Sequence, residues 1–273
     1  MLAQVSWSLW SLGQGVRSIG RDRIWLPFAA LFALQVLLLL TLTNFFAWPI
    51  SLVMVPIVRA TLGETALHYP YNFLALPFAW SRLAIVVDVA LSGFVMAWTY
   101  RLFLRSRGEE PPDSRRRLRS WWRFAVARIP FQLALVLVLI LTPSWVRGGE
   151  DGLGGNALRL FRAATLAVSI GIEALFLYVP FQLLRERLGP SLRDGIAFAG
   201  RYPVAVFLLV GLPALAHIPF LWILGRTHLL VQRMAPETVG WLVLANLFLA
   251  AVTSYVAVVG AGHFRTAVGR TEQ

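Results

Sequence analysis

The stretch Arg115–Leu141, RRRLRSWWRFAVARIPFQLALVLVLIL, decides how this chain is to be read. An arginine cluster with a tryptophan pair runs without a loop into an apolar segment long enough for a membrane. In a soluble protein the basic patch would suggest nucleic acid. Here 58% of 273 residues are hydrophobic, well above the roughly 45–50% apolar usage of soluble domains. The patch is therefore read as topogenic charge facing anionic lipid headgroups, with no nucleic-acid partner.

Working outward, runs of about 20 apolar residues, each enough to cross a hydrocarbon core of roughly 30 Å, recur along the chain. Six spans follow: Ile24–Ala47, Leu83–Leu104, Ala125–Trp145, Ala163–Leu184, Pro203–Leu224 and Val239–His263. The alternating pattern of a transmembrane barrel is absent. The expected fold is an all-α integral membrane protein forming one polytopic domain over residues 1–273, with six transmembrane helices arranged as three hairpins. The first long run is too long for the apolar region of a signal peptide, so residues 1–20 are expected to stay attached. Pro49–Leu76 contains ISLVMVPIVRA, too short to cross. It reads as interfacial or re-entrant, with His68, Tyr69, Tyr71 and Trp80 at headgroup level.

All 25 basic residues are arginine, against 13 acidic ones. Placed on the six-span map with the N-terminus inside, eighteen arginines fall on the inner side and seven on the outer. Both termini are therefore expected in the cytoplasm, in a bacterial inner membrane. Residues 105–124 form a basic cytoplasmic connector whose Glu109 and Glu110 read as solvated charge beside Pro111 and Pro112. The outer loop RGGEDGLGGNALR lacks the lysine and hydroxyl of a phosphate-binding P-loop and reads as a glycine-rich linker. With no cysteine, disulfides and thiolate chemistry are excluded.

The opening pattern recurs. RIP at Arg128–Pro130, RYP at Arg201–Pro203 and RIWLP at Arg23–Pro27 each precede an apolar span. Each unit thus reads as an amphipathic interfacial helix followed by a hairpin. Proline suits a first helical turn, and an arginine beside it can extend to lipid phosphate. Candidate phosphate contacts are Arg23, Arg115, Arg116, Arg119, Arg128 and Arg201. In the first ramp Leu2, Val5, Leu9, Leu12, Val16 and Ile19 lie on one helical stripe, with Trp7 and Trp10 as anchors. That stripe faces the lipid interface or the protein's own helices; a partner helix is the alternative. In the third, Ser191 is a candidate N-cap, with Leu192, Ile196 and Ala199 on one face.

Repeats of amphipathic helix, arginine, x, proline and apolar span resemble poorly characterised bacterial six-span membrane domains related to the membrane domain found beside some glycerophosphoryl diester phosphodiesterases. The resemblance covers nearly the whole chain. It implies a membrane module of undefined role and brings no catalytic residues, since the soluble domain and its metal-binding carboxylates have no counterpart here.

Ionisable or polar residues within spans are costly and default to functional candidates. Glu173, Asp88, His217 and Asn246 are these candidates. They are expected to meet in one outward-facing cluster, either as a proton or cation site or as helix–helix hydrogen-bonding groups. No HExxH pair, GxSxG elbow or Walker lysine is present, and no catalytic residue, cofactor or metal site is assigned. The expected function is a non-enzymatic membrane module, structural or transport-associated, whose partners are anionic lipid headgroups and a membrane protein or second copy. One alternative is a proton- or ion-coupled transporter using Glu173, Asp88 and His217. The other is a lipid-modifying enzyme drawing on Asp22, Glu186, Asp194 or His263.

Overall fold

A computed structural model describes residues 2–20, 23–147, 155–224, 226–233 and 235–271, and every regular element among them is helical. In chain order the α-helices are α1 (Leu2–Arg17), α2 (Leu26–Thr43), α3 (Ser51–Leu62), α4 (Tyr71–Val87), α5 (Gly93–Ser106), α6 (Ser114–Arg119) and α7 (Trp122–Arg147). There follow α8 (Gly155–Phe176), α9 (Val179–Leu183), α10 (Leu188–Arg201), α11 (Pro203–Leu215), α12 (Ile218–Leu224), α13 (Thr227–Arg233) and α14 (Glu237–Thr271). Asp22 and most of the glycine-rich loop lie outside the described residues.

Among the described residues, four helical stretches are long and apolar enough to cross a membrane: Arg23–Thr43, Tyr71–Ser106, Leu166–Leu183 and Glu237–Gly269. A fifth is reached only if α10 and α11, bent by 92°, count as one span. The second span expected from sequence is longer than its apolar run, because α4 continues through a π-helical segment, Asp88–Ser92, into α5. The fifth is shorter, because the helix is interrupted at Ala216–His217.

The chain divides into two units. The first comprises Met1–Trp25, Asp88–Ala214 and Tyr255–Gln273. Its core is aromatic: Tyr100, Phe103, Phe124, Phe176, Tyr178 and Phe264 are fully buried. The buried phenols all find acceptors, as desolvated hydroxyls must. Tyr100 donates to the Leu177 carbonyl at 2.9 Å, beside the break between α8 and α9. Tyr178 donates to the Ala261 carbonyl at 3.3 Å.

Helix α1 turns its small residues inward and much of its apolar stripe outward. Ser8, Ser11, Leu12 and Gly15 are buried, whereas Leu9, Val16 and Ile19 are exposed. A Cβ on Gly15 would stand 2.8 Å from the Val256 carbonyl oxygen, so the α1 and α14 backbones meet there at a distance only glycine permits. The hydroxyls of Ser18 and Tyr255 pair at 2.8 Å beside this contact.

The basic connector is anchored. Arg101 on α5 donates through Nε to Glu110 Oε1 at 2.6 Å, and the Ser114 hydroxyl at the start of α6 donates to the same oxygen at 2.9 Å. Glu110 is thus a staple rather than the solvated charge its loop context implied. Burial pushes its carboxyl up, but the Ser114 hydroxyl and the Arg101 and Arg105 guanidiniums outweigh this and hold it below the usual range.

The second unit comprises Leu26–Val87 and Leu215–Ser254. One cluster joins Leu39 of α2, Leu76 and Trp80 of α4, and Val243 and Leu247 of α14. Trp80 is therefore a core residue, not the headgroup anchor expected of it; it sits within α4 and is buried in the same cluster as Leu39 and Val243. His68, Tyr69 and Tyr71 remain exposed. Phe45, Val58, Ala66 and Leu67 form a second cluster that holds the short α3.

Candidate functional site

Helix α7 carries the central group. Phe124, Ala127, Arg128, Phe131 and Gln132 recur at helical spacing and are all buried, while Val126, Ile129 and Leu133 on the other side are exposed. This spacing points one arginine into the first unit, where its side chain is only 3% exposed. Its Nε and Nη2 donate to Asp88 Oδ2 at 2.8 and 2.6 Å. Nη2 also donates to Glu173 Oε1 at 2.5 Å. The Arg128 guanidinium lies 4.6 Å from the Phe176 ring centroid, one turn beyond Glu173 on α8.

Each partner is positioned by a local feature. Asp88 opens the π-helical segment between α4 and α5, and that segment packs against α7. Extra residues in such a turn re-aim side chains, which is why π-turns often mark functional positions. Close approach at this point depends on Gly93: a Cβ there would lie 3.0 Å from the Phe124 carbonyl oxygen and 3.2 Å from the Phe176 ring.

Removing a guanidinium from water costs several kcal/mol unless charge and hydrogen bonds offset it. Two carboxylates do so here, and together they exceed the arginine by one formal negative charge. Their exposure differs from its own: the side chains of Asp88 and Glu173 are 33% and 30% exposed. Arg128 Nη1, Ser92 Oγ and Gln132 Oε1 are buried without a hydrogen-bond partner. The result is a polar group with a fixed cation inside and two carboxylates reaching outward.

The sequence expectation that Arg128 contacts lipid phosphate is thereby corrected, because its head is buried and engaged by Asp88 and Glu173. Arg23, Arg115, Arg116, Arg119 and Arg201 are exposed. Of the four intramembrane candidates, Asp88 and Glu173 meet on Arg128 in the first unit. His217 and Asn246 meet in the second, where the imidazole Nδ1 lies 2.8 Å from Asn246 Oδ1 and Nε2 lies 3.0 Å from Thr253 Oγ1. Both nitrogens of that ring thus have neutral polar partners, as an imidazole held among helices requires.

Arg128 is the residue sequence reasoning placed wrongly, and Thr253 the one it missed. The signal for Arg128 was its register with Phe124, Phe131 and Gln132; the arginine-proline pattern that follows it pointed to the surface. Of the remaining candidates, His263 Nδ1 lies 3.0 Å from Arg107 Nη2, with its ring edge-on to Phe103. Among the described residues no cluster of three or more histidine or acidic side chains is suited to a metal ion. No protein-family model matches the chain, and neither does any curated protein or solved structure.

Proposed function

We propose that this protein is a non-enzymatic, transport-associated module of the bacterial inner membrane, and that the Asp88–Arg128–Glu173 group binds and releases a proton or monovalent cation. The observation that carries this reading is one buried guanidinium shared by two partly exposed carboxylates. The excess negative charge of two carboxylates over one guanidinium gives a cation a reason to bind, and their exposure gives it access. The π-helical turn bearing Asp88 supports the same reading. In the topology that accompanies the proposal, α7 and the α11–α12 pair cross in addition to the four long apolar stretches. Both termini are cytoplasmic, and the exposed arginines contact anionic headgroups.

The test is dye-reported flux of protons and of monovalent cations into vesicles carrying the purified protein, with thermal unfolding as the control for folding. Flux carried by the wild type should be lost in Asp88→Asn and in Glu173→Gln. If the wild type carries none, or both variants retain the wild-type flux while folding normally, the group is helix glue and the proposal fails.

A further inference from the structure

Away from the Arg128 group, the first unit holds a second polar recess, a pocket of about 380 Å³. This lies within the roughly 300–1,000 Å³ of small-ligand sites. Its polar lining comes from Gln182, Arg185, Glu186, Asp194, Arg201 and Arg265. Three guanidiniums and two carboxylates therefore face one recess, a pattern that fits neither a simple anion nor a simple cation.

The fold sets the depth of this recess. Gln182 is the penultimate residue of α9 and of the apolar stretch Leu166–Leu183, and Arg265 lies four residues before the end of the stretch Glu237–Gly269. Helix α10, which supplies Asp194 and Arg201, meets α11 at 92°. If α11 runs along the membrane normal, α10 lies along the surface, which is headgroup level.

The lining groups are also held in place. Gln182 is nine-tenths buried. The Arg265 guanidinium sits 4.1 Å from the centroid of the buried Phe198 ring, and that ring packs edge-on to Tyr178 at 4.5 Å. Arg185 lies 4.9 Å from the Phe181 centroid. Arginines stacked on aromatic faces keep their planar donors aimed with little loss of side-chain freedom, the arrangement that suits phosphate oxygens. The carboxylate side has one unmet requirement. Glu186 Oε2 is buried without a hydrogen-bond partner, and a carboxylate so placed needs a donor.

We infer that this recess binds a phosphoethanolamine group, with phosphate held by Arg201, Arg265 and Arg185 and the ammonium held by Glu186 and Asp194. The charge order distinguishes it from a site for an anionic headgroup such as that of phosphatidylglycerol, whose neutral glycerol hydroxyls bring no positive charge to set against Glu186 and Asp194. It also distinguishes it from a choline headgroup, whose quaternary ammonium has no N–H to donate.

Binding of dihexanoyl phosphatidylethanolamine, dihexanoyl phosphatidylglycerol, dihexanoyl phosphatidylcholine, free phosphoethanolamine and inorganic phosphate to the full-length protein in detergent tests this. Calorimetry supplies the readout, and thermal unfolding midpoints control for folding. Phosphatidylethanolamine should bind about tenfold tighter than the other two lipids. Glu186→Gln should erase that preference, and Arg201→Gln should weaken all three lipids about equally. Arg265→Gln should act like Arg201→Gln; should it not fold, Glu186→Gln and Arg201→Gln still decide. Free phosphoethanolamine binding as tightly as the lipid supports the site and assigns a soluble ester as its source; weaker binding assigns the lipid. Equal or tighter binding of phosphatidylglycerol or of inorganic phosphate, or a preference that survives Glu186→Gln, overturns the inference. Because Asp88 and Glu173 play no part in these measurements, their outcome is independent of the proposed cation site.

Discussion

Arg128 shows how one side chain sets the character of its surroundings. Removing it by Arg128→Met leaves Asp88 and Glu173 facing each other without the cation, and breaking a buried pair costs about 3–5 kcal/mol. The partial exposure of both carboxylates places the loss toward the lower end of that range. Combining it with Asp88→Asn and Glu173→Gln removes the leftover charge, and much of the stability should return. Chemical unfolding of the solubilised single and triple variants measures both steps, and a triple variant no more stable than Arg128→Met would show that packing, not charge, was lost. The polar residues themselves were legible in the sequence, since an ionisable group inside an apolar run stands out. Their pairing was not. Asp88 reaches Arg128 because a π-turn re-aims it, and no residue spacing announces such a turn.

Among the elements, the contact between α5 and α7 turns on one missing methyl group. Gly93→Ala would drive a Cβ against the Phe124 carbonyl oxygen and the Phe176 ring, both fixed in the core. Such overpacking costs about 1–3 kcal/mol. Gly171→Ala in α8 is the natural control: its Cβ meets nothing within 4 Å. There the alanine should gain about 0.5–1 kcal/mol from helix propensity, so thermal midpoints of the two variants should move in opposite directions. The staple between α5 and α6 adds a pH dependence. Glu110 is held below the unfolded carboxyl value of about 4.3. Its contribution is therefore complete above that pH and lost as pH falls through the lowered folded value. The stability difference between wild type and Glu110→Gln should accordingly be largest near neutrality and close on acidification; a constant difference would mean that Glu110 acts without its charge. Helix existence was largely readable from apolar run length, and α1 was readable as amphipathic. Which face of α1 meets the protein was harder to read, because lipid is as apolar as leucine and the small residues Ser11 and Gly15 permit the close contact instead. The breaks at Leu177–Tyr178 and Ala216–His217 were hidden for a similar reason, since uninterrupted hydrophobicity does not report local backbone geometry.

For the whole molecule, the arginine distribution makes the sharpest commitment. On the proposed six-span topology, burial of Arg128 removes one inner arginine from the topogenic count, and seventeen against seven still favours the proposed orientation. Exposed Arg115, Arg116 and Arg119 on the connector supply much of it, within the distance of a span end over which such charge acts. The absence of cysteine allows a direct check, because any thiol introduced is the only one present. Arg116→Cys lies on the expected cytoplasmic side, and Thr65→Cys, exposed in the segment after the first span, on the expected outer side. A membrane-impermeant maleimide applied to intact cells should label Thr65→Cys and spare Arg116→Cys until the membrane is opened. Replacing Arg115, Arg117 and Arg119 by glutamine in the Arg116→Cys background should then raise labelling from outside, because a span deprived of its retained charge inserts in both orientations. The converse pattern, with Arg116→Cys labelled in intact cells and Thr65→Cys protected, would place the arginine-rich connector outside and reverse the membrane sides proposed for every exposed arginine in the chain.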